Sequence, residues 1–449
     1  MCAVAALALA LGVIPAAAAA STVTVLKDAR LIDGTGTPPR EHTTLVIEGE
    51  RITAVGPASM ATPAGAQVVD LAGKTVMPGL ISDHSHLGLV DGTRADGANA
   101  TVANIERQLR QFEAYGVTTV MSLGLNGPVF YQLRPQAHAG TLAGSDMFGA
   151  DRGIGVEGGA PPVKVQPDQL YRPDTPEQAR QDVREMAARH TDLVKLWLDD
   201  FHGTLPARMS PEVYKAVIDE AHAQHLRVAA HVYYLEDAKR LVADGVDILA
   251  HGVRDRPVDQ AFIDAMKVHG TWYIPTLGLD ESFYLFAEQP QLLDQPFVAH
   301  ALQPPLRQQL ASPDWRQATL AKSADIATNR QSLATNEHNL KTLYDAGGKI
   351  GFGTDSGATP LRVPGFAEHR ELKLLTDAGL TPLQAIQLAT QSAAGLLGLS
   401  DRGVLAPGKR ADFVVLADDP TQDIGAVDRI DAVWHRGREV SGAVTAFQP

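Results

Sequence analysis

The sequence predicts an α/β protein: a (β/α)8 TIM barrel joined to a small β-sandwich domain that both chain ends build together. Three observations carry that expectation. Between residues 76 and 400, eight apolar, strand-like runs alternate with helical segments. Short Val-, Ile- and Thr-rich runs punctuated by Gly and Pro occupy residues 21–75 and 401–449. The length of 449 residues, with 45% hydrophobic and 20% charged content, suits a barrel with a sizeable core plus a smaller module.

The chain begins with an apolar, Ala-rich block at residues 3–20 that ends in small side chains. It reads as a secretory signal peptide, residues 1–20, cleaved near Ala20, and so predicts an exported, periplasmic or secreted protein. The usual positive segment before it is missing, and a buried Ala-rich helix is the alternative. Cys2, the only cysteine, lies in this block, so the mature chain would hold no thiol or disulfide to report its compartment. The formal net charge is -13 and no Lys/Arg-rich run offsets it, which argues against a nucleic-acid partner. No later stretch is long and apolar enough to span a bilayer, so no membrane contact is expected after cleavage. A small-molecule substrate is the expected partner; assembly into a homo-oligomer is left open.

Residues 22–26, 44–48, 51–55 and 67–71 are the expected strands of the first β-rich segment, and 413–417 and 430–434 those of the last. The barrel strands are expected at 76–86, 118–123, 147–149, 193–198, 227–233, 248–252, 271–277 and 349–354. Thr175-Pro176, Ser210-Pro211 and Thr381-Pro382 each place a capping hydroxyl before a proline at the first helical position. About seventy residues separate the seventh and eighth strands. Residues 315–346 of that connection read as helix, and 278–314 as either a lid or a packed surface excursion.

In a barrel, chemistry sits where strands end at the C-terminal face. The first strand ends in His84 and His86, which share one face because strand side chains repeat every second residue. The fifth and sixth end in His231 and His251, each after an apolar run, and the eighth ends in Asp355 beside glycine. The fourth places Lys195 within an apolar strand. A buried ammonium is costly, so burial lowers its pKa and leaves a neutral amine able to react with carbon dioxide. The resulting carbamate has two oxygens and could bridge two cations. Core packing explains any one of these residues, but not all of them at the ends of five strands.

With these residues in place, the chain resembles the amidohydrolase superfamily, in its two-metal branch with a bridging carboxylated lysine. The resemblance spans nearly the whole mature chain, from the Met77-Pro-Gly-Leu80 approach to the His pair to Gly403-Val-Leu-Ala-Pro-Gly-Lys-Arg-Ala-Asp-Phe-Val-Val-Leu416. It implies His84, His86 and Asp355 on one metal, His231 and His251 on the other, and an N6-carboxylated Lys195 bridging them. The donor set suits two divalent cations, with zinc expected. Within the superfamily it looks most like the imidazolonepropionase-related and Xaa-Pro dipeptidase-like group, and Lys195 fits the dipeptidase-like members better. One departure concerns the Asp that the family carries two places before the first histidine. Ser82 stands there, and Asp83, next to His84, is expected to face away from the barrel centre.

The expected reaction is metal-dependent hydrolysis of a C–N amide bond in dipeptides or N-acyl amino acids, aromatic conjugates of the ochratoxin type included. Asp355 would accept the proton of the attacking water and pass it to the leaving nitrogen. Tyr233, two residues after His231, could bind the developing oxyanion. His202, Arg254 and Tyr273 are candidate substrate contacts; Arg254 and Arg256 could each bind a substrate carboxylate, with surface ion pairing expected for at least one of them, and His222 and His225 suit an exposed helix face. Trp197, Tyr233, Tyr273, Phe283 and Tyr284 would suit an apolar or aromatic acyl group. Lactones, organophosphate esters and cyclic amides are alternative substrates of the same site, and a non-catalytic metal-binding scaffold is the alternative of another kind.

Overall fold

The computed structural model describes residues 23–444; the expected leader and Cys2 lie outside the described residues. Five strands open the chain: β1 (Val23–Leu31), β2 (Arg40–Glu48), β3 (Arg51–Pro57), β4 (Gln67–Asp70) and β5 (Thr75–Pro78). One residue later β6 (Leu80–Ser85) begins. The run expected as one strand over 76–86 is therefore two. The break falls at Gly79, where a Cβ would lie 2.5 Å from Thr118 Oγ1, so only glycine lets the chain pass that close. Residues 75–78 thus join the terminal sheet rather than the barrel region.

A two-residue hairpin, β7 (Val90–Asp91) and β8 (Arg94–Ala95), follows. Then come β9 (Val117–Leu123), β10 (Asp146–Ala150), β11 (Val194–Trp197), β12 (Val228–His231), β13 (Ile248–Ala250), β14 (Trp272–Ile274) and β15 (Lys349–Ile350). The chain closes with β16 (Phe413–Leu416), β17 (Ile430–His435) and β18 (Arg438–Ser441).

Both ends of the chain build one mixed sheet in the order β18-β17-β16-β5-β1-β2-β3, with β4 also paired to β1. Its pairing is continuous from β18 to β3, and its core is Leu26, Leu45, Ile47, Ile52, Phe413 and Trp434. Burial of such side chains stabilises by roughly 1.5–3 kcal/mol each.

Two further sheets are parallel throughout, β10-β9-β6 and β11-β12-β13-β14-β15. Every residue of β9, β11, β12 and β13 is buried, as parallel strands covered on both faces must be. The two sheets share an apolar interior of Met121, Leu123 and Ala150 from one and Ala229, Ile248 and Ile274 from the other. Isolated parallel bridges pair Ser85 with Ser356 and Ala150 with Leu193. The fold is α/β, with helices between successive parallel strands.

Thr175 and Thr381 close capping boxes with Gln178 and Gln384, whereas Ser210 makes no side-chain cap bond. Residues 278–314 form short helices, and Leu285, Phe286, Phe297, Leu302, Leu306 and Leu310 pack into the main core. This stretch is a packed excursion; Phe283 is its exposed aromatic, at 41%. The helix expected over 315–346 is Ser323–Asp345, preceded by Pro313–Leu320. Among the described residues no helix is long and apolar enough to cross a membrane.

Candidate metal centre

At the ends of β6, β11, β12 and β13, and just beyond β15, the structure brings six buried polar side chains together: His84, His86, Lys195, His231, His251 and Asp355. The His84 ring centroid lies 5.5 Å from that of His86 and 4.4 Å from that of His251, and His251 is 4.4 Å from His231. Asp355 Oδ1 stands 3.3 Å from His84 Nε2 and 3.0 Å from His86 Nε2. Donor atoms of His84, His251 and Asp355 fall within 4.8 Å of one another, a spacing one cation can span.

Local backbone geometry aims these groups. Against β9, Ser82 pairs with Val120 and Ser85 with Ser122, so three steps on β6 match two on its partner. This bulge resets the alternation of faces. Asp83, next to His84, is itself buried in this stretch. Asp83 Oδ2 accepts from Phe352 N–H at 3.0 Å, and Arg227 provides the facing charge. Burial raises the Asp83 pKa well above the usual carboxylate range. His251 and Asp355 adopt φ of 80° and 57°, left-handed conformations that cost non-glycine residues roughly 1–3 kcal/mol each.

The electrostatics favour neutral nitrogen donors. Burial, with the Lys195 charge, lowers the His84 pKa to about 3; burial also lowers His231, and it lowers His251 well below the ordinary value. Lys195 is fully buried, its Nζ 5.2 Å from the Trp197 ring centroid, and burial lowers its pKa to about 7. Burial alone would raise Asp355, but the Arg362 guanidinium and the two imidazoles outweigh it and hold the carboxyl well below its usual range. Among the described residues, Lys195 Nζ, both ring nitrogens of His84, and Nδ1 of His231 and of His251 are buried without a hydrogen-bond partner. Unpaired buried donors and acceptors of this kind are what a bound cation would satisfy, so the residues fit a metal.

The other named residues lie in distinct settings. Tyr233 is nearly buried; its hydroxyl pairs with Ser332 Oγ at 3.0 Å, and the exposed His202 packs against its ring at 4.3 Å between centroids. Arg254 is 4% exposed, and its Nη1 donates to both oxygens of Asp280 at 3.2 Å, so its charge is already matched inside the protein. Tyr273 is fully buried; its hydroxyl accepts from Val253 N–H at 2.8 Å and donates to Asn336 Oδ1 at 3.1 Å. Those bonds place Tyr273 in the supporting wall, a correction to its reading as a substrate contact. Arg256 pairs with Asp255, and His222 pairs with Asp247 at 2.9 Å.

Sequence reasoning missed several partners. Asp199 Oδ2 lies 3.1 Å from His231 Nε2, Arg362 bonds Asp355 Oδ2, and Glu368 accepts from Ser82, Thr354 and Ser356. Asp199 stood immediately after the expected fourth strand, a usable signal; Arg362 and Glu368 carried none.

The chain belongs to the amidohydrolase family, whose pattern matches residues 75–440. An uncharacterized protein of Mycobacterium tuberculosis is 31% identical over 266 residues, 57% of this chain; the chain spans about 60% of the length of the mycobacterial relatives it matches. The imidazolonepropionase of Deinococcus deserti is 26% identical over 389 residues, covering 84% of this chain and 87% of the relative. Among solved structures, a Xaa-Pro dipeptidase with bound methionine superposes with a TM-score of 0.72 at 23% identity, covering 94% of this chain and 100% of that one. The ochratoxinase of A. niger gives 0.73 at 22% identity, covering 94% and 96%. At those identities the two structures attest the fold. The chain is thus a member of the amidohydrolase family in which His84, His251 and Asp355 are spaced to hold a cation.

Proposed function

We propose that this protein is a two-metal hydrolase that cleaves the C–N amide bond of dipeptides or N-acyl amino acids, aromatic amides included. The observation that carries the reading is Lys195, a fully buried amine with no partner and a pKa near 7, set among four imidazoles and Asp355. Near neutral pH part of the amine is uncharged and adds to carbon dioxide with loss of one proton, giving a carbamate. That carbamate, with His84, His86, His231, His251 and Asp355, would hold two divalent cations, zinc by the N/O donor set. Cations held there would supply Lewis acidity, making a water nucleophilic at neutral pH and polarising the scissile carbonyl.

The chain's own groups do the rest. Asp355 takes the water's proton and delivers it to the leaving nitrogen. The Tyr233 hydroxyl, held by Ser332, hydrogen-bonds the carbonyl oxygen as negative charge grows on it. His202, exposed beside Tyr233, contacts substrate, while Arg254 acts through Asp280 and the ring of Tyr233 beneath it, 5.1 Å away. The amide preference is supported by the imidazolonepropionase relatives and by the dipeptidase and ochratoxinase likenesses.

We also infer that the two parallel sheets close into one (β/α)8 barrel, supported by their shared interior and the bridges at both seams. The terminal sheet folding over its own core as a sandwich, and export through residues 1–20, belong to the same reading. Metal analysis of the purified protein, with a panel of dipeptides, N-acyl amino acids, lactones and phosphotriesters, tests it. Two zinc per chain and highest kcat/KM on an amide support it. Greater activity on esters or lactones than on every amide overturns the substrate assignment.

A further inference from the structure

We propose that Asn336 is a positioning residue for the metal centre: its side chain holds the left-handed turn that aims His251 into the cluster. The inference rests on the reading of that cluster as a metal site. Directly after β13, His251 and Gly252 have φ of 80° and 68°, two left-handed residues in succession. Histidine enters that region more often than most side chains but still at a cost, so contacts with the surrounding structure are needed to hold it.

The helix Ser323–Asp345 does so. Asn336, fully buried, donates from Nδ2 to the carbonyls of His251 at 3.4 Å and Pro275 at 2.7 Å, and its Oδ1 accepts from the Tyr273 hydroxyl at 3.1 Å. One amide therefore ties the segments just beyond β13 and β14 to each other. It also packs tightly against the turn, because a Cβ on Gly252 would lie 2.2 Å from Asn336 Oδ1. Without this amide the His251 carbonyl loses its tether, and the turn is free to relax toward ordinary φ, which swings the imidazole out of the cluster.

Two neighbours on the same helix make the comparison that tests this. Asn339 donates to the carbonyls of Val253 and Arg256, both at 2.9 Å, and accepts from Val258 N–H at 2.8 Å. Ser332 pairs with Tyr233. Spacings of four and three put Ser332, Asn336 and Asn339 on one helix face. Asparagine is a poor residue for a helix interior, because its side chain competes for backbone groups, yet here every bond of both asparagines goes to a strand end or the loop after it. Only Asn336 touches a residue whose own side chain enters the cluster as a ligand.

The experiment measures zinc affinity by chelator competition, and Tm with and without zinc, for the wild type and for Asn336→Ala, Asn339→Ala and Tyr273→Phe. Loss of an outer partner of a metal ligand weakens binding by about 10–100-fold, the loss expected for Asn336→Ala. The zinc-induced rise in Tm should shrink with it, while the metal-free Tm falls about as far as in Asn339→Ala. Asn339→Ala should keep wild-type zinc affinity. Tyr273→Phe removes the hydroxyl that braces the amide and should weaken zinc several-fold, which keeps the test alive if Asn336→Ala does not fold. Wild-type affinity in Asn336→Ala or, failing its folding, in Tyr273→Phe overturns the proposal, as does an equal loss in Asn339→Ala. A wild-type protein that takes up no zinc overturns instead the metal-site reading on which the proposal stands.

Discussion

Replacing Lys195 with methionine should stabilise the metal-free protein and weaken its stabilisation by zinc. Burial brings the amine from an ordinary 10.5 to about 7, a shift worth roughly 5 kcal/mol at about 1.4 kcal/mol per unit. Above pH 10.5 the amine is neutral in both the folded and unfolded chain, and its charge costs the fold nothing. As pH falls from there to 7, the unfolded chain binds a proton that the folded one refuses, so the penalty grows. Below 7 both states carry the proton and the penalty is complete. Methionine keeps the length, loses the charge and adapts to the space, so it escapes the penalty. In chelator, Lys195→Met should therefore exceed wild-type stability by a margin that climbs from near zero around pH 10.5 to a few kcal/mol at pH 6. The margin is the difference between urea-unfolding free energies at each pH, which cancels the titrating groups that do not face Lys195. With saturating zinc at pH 8 the order should invert, because the wild type gains more from the metal than a variant that keeps His84, His251 and Asp355 but lacks the lysine. A variant less stable than wild type at pH 6 in chelator, or a margin that does not shrink toward alkaline pH, refutes the reasoning.

Three other outcomes are expected. Asp355→Asn should lower kcat on the best amide by roughly 10²–10⁴ while zinc is retained, measured by steady-state kinetics with metal analysis; an Asn variant with zinc and full turnover would remove Asp355 from proton transfer. Tyr233→Phe should lower kcat by roughly 10²–10³ with zinc content unchanged, and unchanged kcat would reduce the ring to pocket lining. His435, far from the cluster, is lowered by burial but raised by Asp146 and Glu113 to about 9, so a contribution of about 3 kcal/mol is complete below pH 6.5 and lost as pH rises through 9. Urea unfolding of His435→Gln should show that deficit at pH 6 and almost none at pH 10; a deficit independent of pH would assign the loss to packing.

The parts of the fold that the sequence exposes are those set by local pattern. Apolar runs ending in His84, His231 and His251 mark strand ends because a buried strand leaves few positions for polar side chains. The prolines at 176, 211 and 382 mark helix starts because their missing N–H costs nothing there. What the sequence hides depends on pairing between distant segments. The Ser82–Ser85 bulge exists only against β9, and it breaks the two-residue alternation around Asp83 and His84. The split at Gly79 depends on Thr118 of a neighbouring strand. Tyr273 follows an apolar strand pattern like that of Tyr233, yet only the helix Ser323–Asp345 decides that its hydroxyl faces the wall. Arg362 reaches Asp355 through a loop whose path no periodicity encodes.

The energetics of the cluster bear on function as directly as its geometry does. The unpartnered atoms of Lys195, His84, His231 and His251 each cost roughly 1–3 kcal/mol when buried, and the left-handed His251 and Asp355 add a similar amount each. Against a net stability of about 5–15 kcal/mol for a typical domain, that burden is large. An apolar layer here would remove it, and the chain builds one immediately adjacent, with Met121, Ala229, Ile248 and Ile274 in the same interior. The same strands thus bury hydrocarbon along their length and unpaired nitrogen at their ends. Polar groups kept at such a cost need something that offsets it, and bound cations would do so for one nitrogen of each imidazole. Metal uptake and folding stability should therefore be coupled in this protein, with Lys195 the residue through which the coupling is most visible.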